Sequence, residues 1–245
     1  MPEGPRLYAE LAEWFPLITP AEEYAQEAAV YRKLFAGVGL RRGATMLELG
    51  SGGGNNASHL KKHFQMTLCD LSPDMLAVSK QLNPELEHVQ GDMRTVRLGR
   101  EFEAVFVHDA IDYMLTEPDL AAAIETAFVH CRPGGMALFV PDDVRETFKP
   151  RTAHGGVDAG SRGARYIEWT WDPDPNDDTY VVDFAYLLRD EDGNLRVEQD
   201  RHEIGLFSRD FWRSLLRQAG FTVKIHKADL GDELSEIFVC LKPVR

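Results

Sequence analysis

The sequence predicts an α/β fold: a mostly parallel sheet with helices between its strands and an antiparallel β insertion after the fifth strand. Three observations carry this. Short apolar runs alternate with helical patterns from Met46 to Val140, the order that builds parallel sheets through right-handed crossovers. The first run, Met46-Leu47-Glu48-Leu49, ends in the glycine loop Gly50-Ser51-Gly52-Gly53-Gly54 and opens into a helix. Beyond Gly163 the apolar residues recur at period two, the mark of half-buried antiparallel strands.

The elements follow in order. Leu7 to Phe15 and Ala21 to Phe35 read as helices separated by Pro16 and Pro20, the second carrying Tyr24, Ala28, Tyr31 and Phe35 on one face. After the glycine loop a short helix is expected from about Ala57 to His63, with Asn55 or Asn56 as its N-cap. Gln65 to Asp70 is the second strand, and Ser72-Pro73 starts the next helix as cap and first-turn proline. His88 to Met93 and Ala104 to Asp109 are the third and fourth strands. Pro118 opens a helix through about Cys131, Arg132-Pro133-Gly134-Gly135 stops it, and Met136 to Val140 is the fifth strand. Asp142 to Gly163 is polar and Gly-rich and reads as a mobile loop. Ile167, Trp169 and Trp171 then share a strand face, which reads as the face that packs the insertion onto the core. Tyr180, Val182, Phe184, Tyr186 and Leu188 share another. A third insertion strand runs from about Leu195 to Leu206 after the turn signal Asp190 to Asn194. Ser208 caps a last helix that Gly220 ends, and strands from Phe221 to His226 and Ser235 to Leu241 return to the main sheet. One domain is expected over 1–245: helices over 1–40, a ligand-binding core over 41–141, loop and insertion over 142–207, and the closing helix and strand pair over 208–245.

With 44% hydrophobic and 27% charged residues in 245, the chain belongs to the globular class. A formal net charge of -13 argues against nucleic acid and anionic membrane surfaces as partners. No apolar run approaches the roughly 20 residues that cross a bilayer, and the first residues lack a signal-peptide layout. Cys69, Cys131 and Cys240 are odd in number and lack metal spacing, and Cys69 and Cys240 sit in apolar strand-like stretches, which fits buried thiols in a reducing compartment and a cytoplasmic location.

A glycine loop between strand and helix lets the backbone approach a ligand, and the free N–H groups of the helix start favour anionic groups. Glu48-x-Gly50-x-Gly52-x-Gly54 differs from a dinucleotide fingerprint, which wants a glycine where Asn55 stands. Asp70 follows about 20 residues later at the second strand's end, where an acid can accept hydrogen bonds from ribose hydroxyls. Asp92 in Gly91-Asp92-Met93 ends the third strand, placed to receive an adenine amino group while Met93 packs on the ring. Each acid alone also reads as a solvent-facing strand terminus.

Together, Glu48 to Gly54, Asp70, Gly91-Asp92-Met93 and Arg132 to Gly135 resemble the ordered motifs of class I S-adenosylmethionine-dependent methyltransferases. Gly91 to Arg94 followed by Arg97 to Phe102, Glu23-Tyr24-Ala25 near the start, and the β insertion resemble bacterial enzymes that methylate the amine of nucleotide-linked amino sugars. The resemblance implies a Rossmann-like sheet of seven strands and S-adenosyl-L-methionine as cofactor, with S-adenosyl-L-homocysteine as product. It implies cofactor contacts from Tyr24, Glu48, Gly50, Ser51, Gly52, Asp70, Leu71, Met75, Asp92, Met93 and His108, and no metal. Tyr24 reads equally as a core tyrosine.

On the acceptor side, His108 reads as a general base or as a structural histidine, with Asp109 and Tyr113 beside it as the other catalytic candidates. Asp109 and Asp112 read as holders of an ammonium group or as helix caps. His154 in a lid, and Tyr166 and Trp169 in an aromatic wall, are the remaining acceptor candidates. The expected activity is methyl transfer to a small-molecule amine. The alternatives are an oxygen acceptor and a non-catalytic cofactor-binding subunit, and the β insertion offers a surface for a homodimer.

Overall fold

The computed structural model describes residues 4–229 and 234–244; the first three residues, part of the stretch read above for a leader, lie outside it. Its centre is a seven-stranded sheet: β1 (Thr45–Leu49), β2 (Gln65–Asp70), β3 (Glu87–Gln90), β4 (Phe102–Val107), β5 (Cys131–Phe139), β11 (Thr222–Asp229) and β12 (Leu234–Leu241), in the order β11-β12-β5-β4-β1-β2-β3. β12 is antiparallel to both of its neighbours, β5 and β11, while β1 to β5 pair in parallel. The strand order reverses between β1 and β4, where a ligand crevice opens beyond the carboxyl ends of the strands.

Alternation along the strands sorts the core into two layers. Leu47, Leu49, Val105, Val107, Ala137 and Phe139 face α5 (Glu117–His130) and α6 (Arg209–Gln218). Met46, Met66, Leu68, Phe106, Met136 and Leu138 face α2 (Ala25–Gly37) and α3 (Asn55–Leu60). Strands buried on both faces read as nearly continuous apolar runs, which is why they stood out in the sequence. Thr116, Ser72 and Ser208 cap α5, α4 (Pro73–Leu82) and α6 with side-chain oxygens that accept N–H bonds from Asp119, Met75 and Phe211.

Several boundaries differ from expectation. The stretch from Leu7 to Phe15 is two 3-10 turns, Arg6–Tyr8 and Ala12–Trp14, leading into α1 (Phe15–Ile18), with Leu7, Leu11, Trp14 and Phe15 buried together against Met75, Tyr186 and Leu188. The cap of α3 is Gly54, at φ 76°, and not Asn55 or Asn56. Those amides instead donate to Thr19 O at 2.8 Å and to Glu27 Oε1 at 2.7 Å, tying the N-terminal segment to the glycine loop. β5 begins at Cys131, with a register shift against β4 that absorbs Arg132 to Gly135.

The insertion is a second sheet, ordered β10 (Leu195–Gly205), β9 (Thr179–Arg189), β8 (Arg162–Trp171), β6 (Arg151–Gly155), with β7 (Asp158–Ala159) also on β8. The expected loop from Asp142 to Gly163 therefore contains two short strands, polar because they sit at an edge. The expected packing face of β8 is inverted. Tyr166 lies opposite Tyr186 and Glu168 opposite Phe184, so the even-numbered residues point inward, while Ile167 and Trp169 are 55% and 54% exposed. Period two marks two faces equally, and only the register with β9 chooses between them. The inner face packs through Ala164, Tyr186 and Leu188 on the N-terminal segment and Met75.

Candidate active site

A cavity of about 910 Å³ lies between the strand tips of the main sheet, the N-terminal segment and the inner face of the second sheet. Its lining includes Tyr24, Glu48, Gly50, Ser51, Gly52, Asp70, Leu71, Met75, Asp92, Met93, His108, Asp109, Tyr113 and Tyr166. Asp112, His154 and Trp169 are not on it.

The glycine loop forms one wall. Gly50 sits at φ 72°, and a Cβ there would overlap Ala110 Cβ and come within 2.7 Å of Met93 Cε; only glycine lets the chain turn this closely. Asp70 braces the loop, accepting the Gly52 N–H at 2.7 Å and the Ser72 N–H at 2.9 Å. Burial pushes its carboxyl up, and these N–H groups act against that shift. Each carboxylate oxygen keeps a further lone pair for a ligand hydroxyl. Glu48 is buried, its Oε2 and the Ser51 Oγ have no partner among the described residues, and burial pushes the Glu48 carboxyl up to about 8. Orphaned acceptors of this kind fit a cationic ligand group. Leu71 is 63% exposed and lines the cavity, as does Met93, so two apolar side chains are available to a flat ring. Asp92 differs from expectation: its oxygens already accept the Arg94 backbone N–H at 2.8 Å and the guanidinium Nη2 at 2.6 Å, and Arg94 continues to Asp119 at 2.8 Å. Asp92 thus anchors Arg94 and has little capacity left for an adenine amino group.

His108 follows β4 and sits in a ring of partners. Its Nδ1 is 2.8 Å from Asp109, its Nε2 is 2.9 Å from the Tyr31 hydroxyl and 3.6 Å from Glu27. Burial opposes a charge on the ring, but Asp109 and Glu27 outweigh it and push the pKa up to about 10. At neutral pH both nitrogens carry protons and both are engaged. A ring held charged between two carboxylates has no free nitrogen to take a proton, so this arrangement favours the structural of the two roles read for His108 over that of a base. Asp109 is held low despite its burial by the His108 charge. Asp142, just past β5, is pushed well up by burial and by Asp109. Asp112 is buried behind them, its carboxylate accepting the Asp142 N–H at 2.7 Å, so it positions the strand end rather than meeting a ligand. Arg151, also on the lining, pairs with buried Asp143 at 2.8 Å.

Of the remaining acceptor candidates, Tyr166 reaches the cavity from the inner face of β8. His154 is exposed on edge strand β6, and Trp169 stacks on Trp171 at 5.5 Å on the outer face. The sequence reading passed over Tyr8, Asp142, Glu168, Phe184 and His202, all of which line the cavity. The one available signal was polarity: Glu168 and His202 interrupt strands at positions of the inward period.

Residues 46–135 match a family model described as a methyltransferase domain. Over 224 residues the chain is 29% identical to the dTDP-3-amino-3,6-dideoxy-α-D-glucopyranose N,N-dimethyltransferase of Streptomyces fradiae, covering 88% of this chain and 85% of that one. A second relative, the dTDP-3-amino-3,4,6-trideoxy-α-D-glucopyranose N,N-dimethyltransferase of Streptomyces venezuelae, is 29% identical over 74% of this chain and 76% of its own. The crystal structure of DesVI from Streptomyces venezuelae superposes with a TM-score of 0.83 at 25% identity, over 97% of this chain and 98% of that one. Fold, glycine loop and these matches make the chain an S-adenosylmethionine-dependent methyltransferase with the Rossmann-like fold of that class. Its relatives include N,N-dimethyltransferases of nucleotide-linked amino sugars. Among the described residues, no helix is long and apolar enough to cross a membrane.

Proposed function

We propose that the enzyme methylates the amine nitrogen of a small, cationic acceptor of amino-sugar type. The observation that carries this is the acidic floor of the cavity. Asp109 and Asp142 end adjacent strands and face the same space, close enough that each shifts the other's ionisation, and the walls are aromatic: Tyr8, Tyr113, Tyr166 and Phe184. Paired carboxylates under aromatic rings favour an ammonium ion over a neutral hydroxyl. The acceptors named for the two Streptomyces relatives are amines, which supports the same reading.

In this reading Glu48, the Gly50–Gly52 loop, Ser51, Asp70, Leu71, Met75, Met93 and Tyr24 hold the cofactor, which supplies an activated methyl group on a sulfonium. The chain's own work is placement, since in-line transfer needs the nitrogen about 3–3.5 Å from the methyl carbon and little covalent help. His108 acts as a fixed cation that keeps Asp109 ionised for the acceptor. We place the enzyme in the cytoplasm; its three cysteines are buried and unpaired, and burial pushes the Cys69 and Cys131 thiols up to about 12.

The test is a matched pair of acceptors with labelled cofactor: dTDP-3-amino-3,6-dideoxy-α-D-glucopyranose and the same sugar with a hydroxyl at that carbon. Label is expected in the amine and not in the alcohol. Comparable transfer to the alcohol would replace this reading with O-methylation.

A further inference from the structure

We infer that Asp200, His202, Tyr113 and Tyr8 form a proton relay that takes the proton an amine acceptor must lose before it can attack. The inference rests on the amine reading above. An ammonium nitrogen has no lone pair, so a protonated acceptor has to be deprotonated in the cavity, and His108 is already charged. A different histidine is arranged for the task.

His202 lies on β10, its side chain buried on the inner face and lining the cavity. Its Nε2 is 3.1 Å from Asp200 Oδ2 and its Nδ1 is 2.8 Å from the Tyr113 hydroxyl. The Tyr113 and Tyr8 hydroxyls are 3.1 Å apart. Asp200 also accepts the backbone N–H of Leu7 at 2.9 Å, which clamps the N-terminal segment carrying Tyr8 onto the strand. Its contact with His202 and these N–H bonds hold Asp200 low against the opposing pull of burial. An ionised Asp200 requires the proton of a neutral His202 to sit on Nε2, leaving Nδ1 as an acceptor. In the structure the Tyr113 hydroxyl donates to Tyr8; for the relay it turns to donate to Nδ1, 2.8 Å away, so that Tyr8 donates to Tyr113 and offers its lone pairs to the cavity. With the two hydroxyls so turned, every hydrogen in the chain points toward Asp200.

Neither tyrosine ionises alone, because burial pushes both hydroxyls well up, and Asp142 raises them further. The transfer is therefore a concerted shift. The ammonium N–H breaks to Tyr8 oxygen as the Tyr8 proton passes to Tyr113 and the Tyr113 proton passes to His202 Nδ1. The products are a neutral amine and an imidazolium held by Asp200. The nitrogen lone pair then forms the N–CH₃ bond as the S–CH₃ pair returns to sulfur. His202 gives its proton back to solvent through the cavity after product leaves. Phe184 also packs on the ring, at 4.7 Å between centroids, and nearer Asp200 is the Tyr186 hydroxyl, which has no partner among the described residues.

In this scheme His202 and Asp200 act through the tyrosines and are positioning residues. With dTDP-3-amino-3,6-dideoxy-α-D-glucopyranose as acceptor, H202N and Y113F are each expected to lower kcat by about 10- to 100-fold at pH 7. The loss should shrink as pH rises and the acceptor deprotonates in solution, while the Kd for S-adenosyl-L-homocysteine stays within twofold. A loss of equal size at every pH, or a kcat within twofold of the parent in both variants, overturns the relay. Nitrogen-15 spectra of the His202 ring give a readout free of turnover: the proton is expected on Nε2 at pH 7 and should move to Nδ1 in D200N. A ring protonated on Nδ1 in the parent enzyme overturns it as well. If the parent does not methylate the probe, the amine reading falls for that acceptor, and the tautomer still decides the relay.

Discussion

In the cofactor half of the cavity, the determinants are backbone turns and acids at the ends of the neighbouring strands β1, β2 and β3, such as Asp70, which accepts N–H bonds from Gly52 on the adjoining loop and from Ser72 two positions on. In the acceptor half, Tyr8, Tyr113, Asp142, Tyr166 and His202 arrive from the N-terminal segment, the turn after β4, the end of β5, β8 and β10. The first half is built by consecutive strand–loop–helix units of one parallel sheet. The second exists only when the second sheet has docked on the first through the N-terminal segment. The cofactor half is therefore constrained by steric and turn rules that leave few sequence solutions, whereas the acceptor half is constrained by register, which many sequences satisfy.

The largest expected effect tests the cofactor half. Gly50→Val places a branched side chain at positive φ where Ala110 and Met93 already fill the space. Cofactor affinity should fall by more than about 100-fold, measured by calorimetry on protein whose circular dichroism matches the parent. Retained affinity would mean that the loop does not set the approach distance.

Next comes His108, where the two halves meet. Its pKa is raised to about 10 from an ordinary 6.5, so the stability it contributes is complete below pH 6.5 and is lost as pH rises through 10. His108→Asn leaves Asp109 and Glu27 without their cation. The cost at pH 7 should be about 3–5 kcal/mol in urea unfolding, as for breaking other buried pairs. The gap to the parent should narrow by pH 10.5. A gap independent of pH would show that the ring is neutral and would return it to candidacy as a base.

The legibility of the chain divides along the same line. Met46 to Gly54, Asp70 and the Gly91–Met93 turn announced their strand ends, because a glycine turn or an acid after an apolar run marks where a buried strand stops. The parallel pairing of the first five strands followed from alternation, the count of seven from the resemblance, and the order only from the structure. What the sequence hid was long-range. Trp169 and Trp171 looked like packing residues because they are the more apolar face of β8, yet the inner face is polar since it borders a ligand cavity. His202 looked like one polar residue in a polar strand, and nothing local relates it to Tyr113, 89 positions away. His108 was correctly placed beside the cofactor crevice, but its charge depends on Glu27 from α2, invisible to any reading of the strand that carries it.

A smaller effect concerns Glu48. With its carboxyl pushed up to about 8, the free enzyme holds it neutral at pH 7. The cofactor brings cationic groups into the cavity, which should lower that value and release a proton on binding. The heat of binding should therefore vary with the ionisation enthalpy of the buffer. In Glu48→Gln that variation should vanish and affinity should drop about tenfold, the scale of one charge-assisted hydrogen bond. Buffer-independent heats in the parent would place the cofactor's cationic groups away from Glu48.

The smallest effect is expected where the sequence reading was most misled. Trp169 is 54% exposed and touches Trp171, whose own indole N–H donates to Asp183 at 2.9 Å, so the second ring stays anchored when the first is removed. Trp169→Ser should change stability by no more than about 0.5 kcal/mol, as at other exposed sites without special contacts. Its kcat and acceptor KM should remain within about twofold, since no atom of the residue reaches the cavity. Tyr166, three positions earlier on the opposite face, serves as the internal control: Tyr166→Ala should raise acceptor KM several-fold with little change in cofactor Kd. If instead Trp169→Ser raised acceptor KM and Tyr166→Ala did not, the register of β8 on β9 would have to be shifted by one residue, and the acceptor half would be rebuilt from the other face of the second sheet.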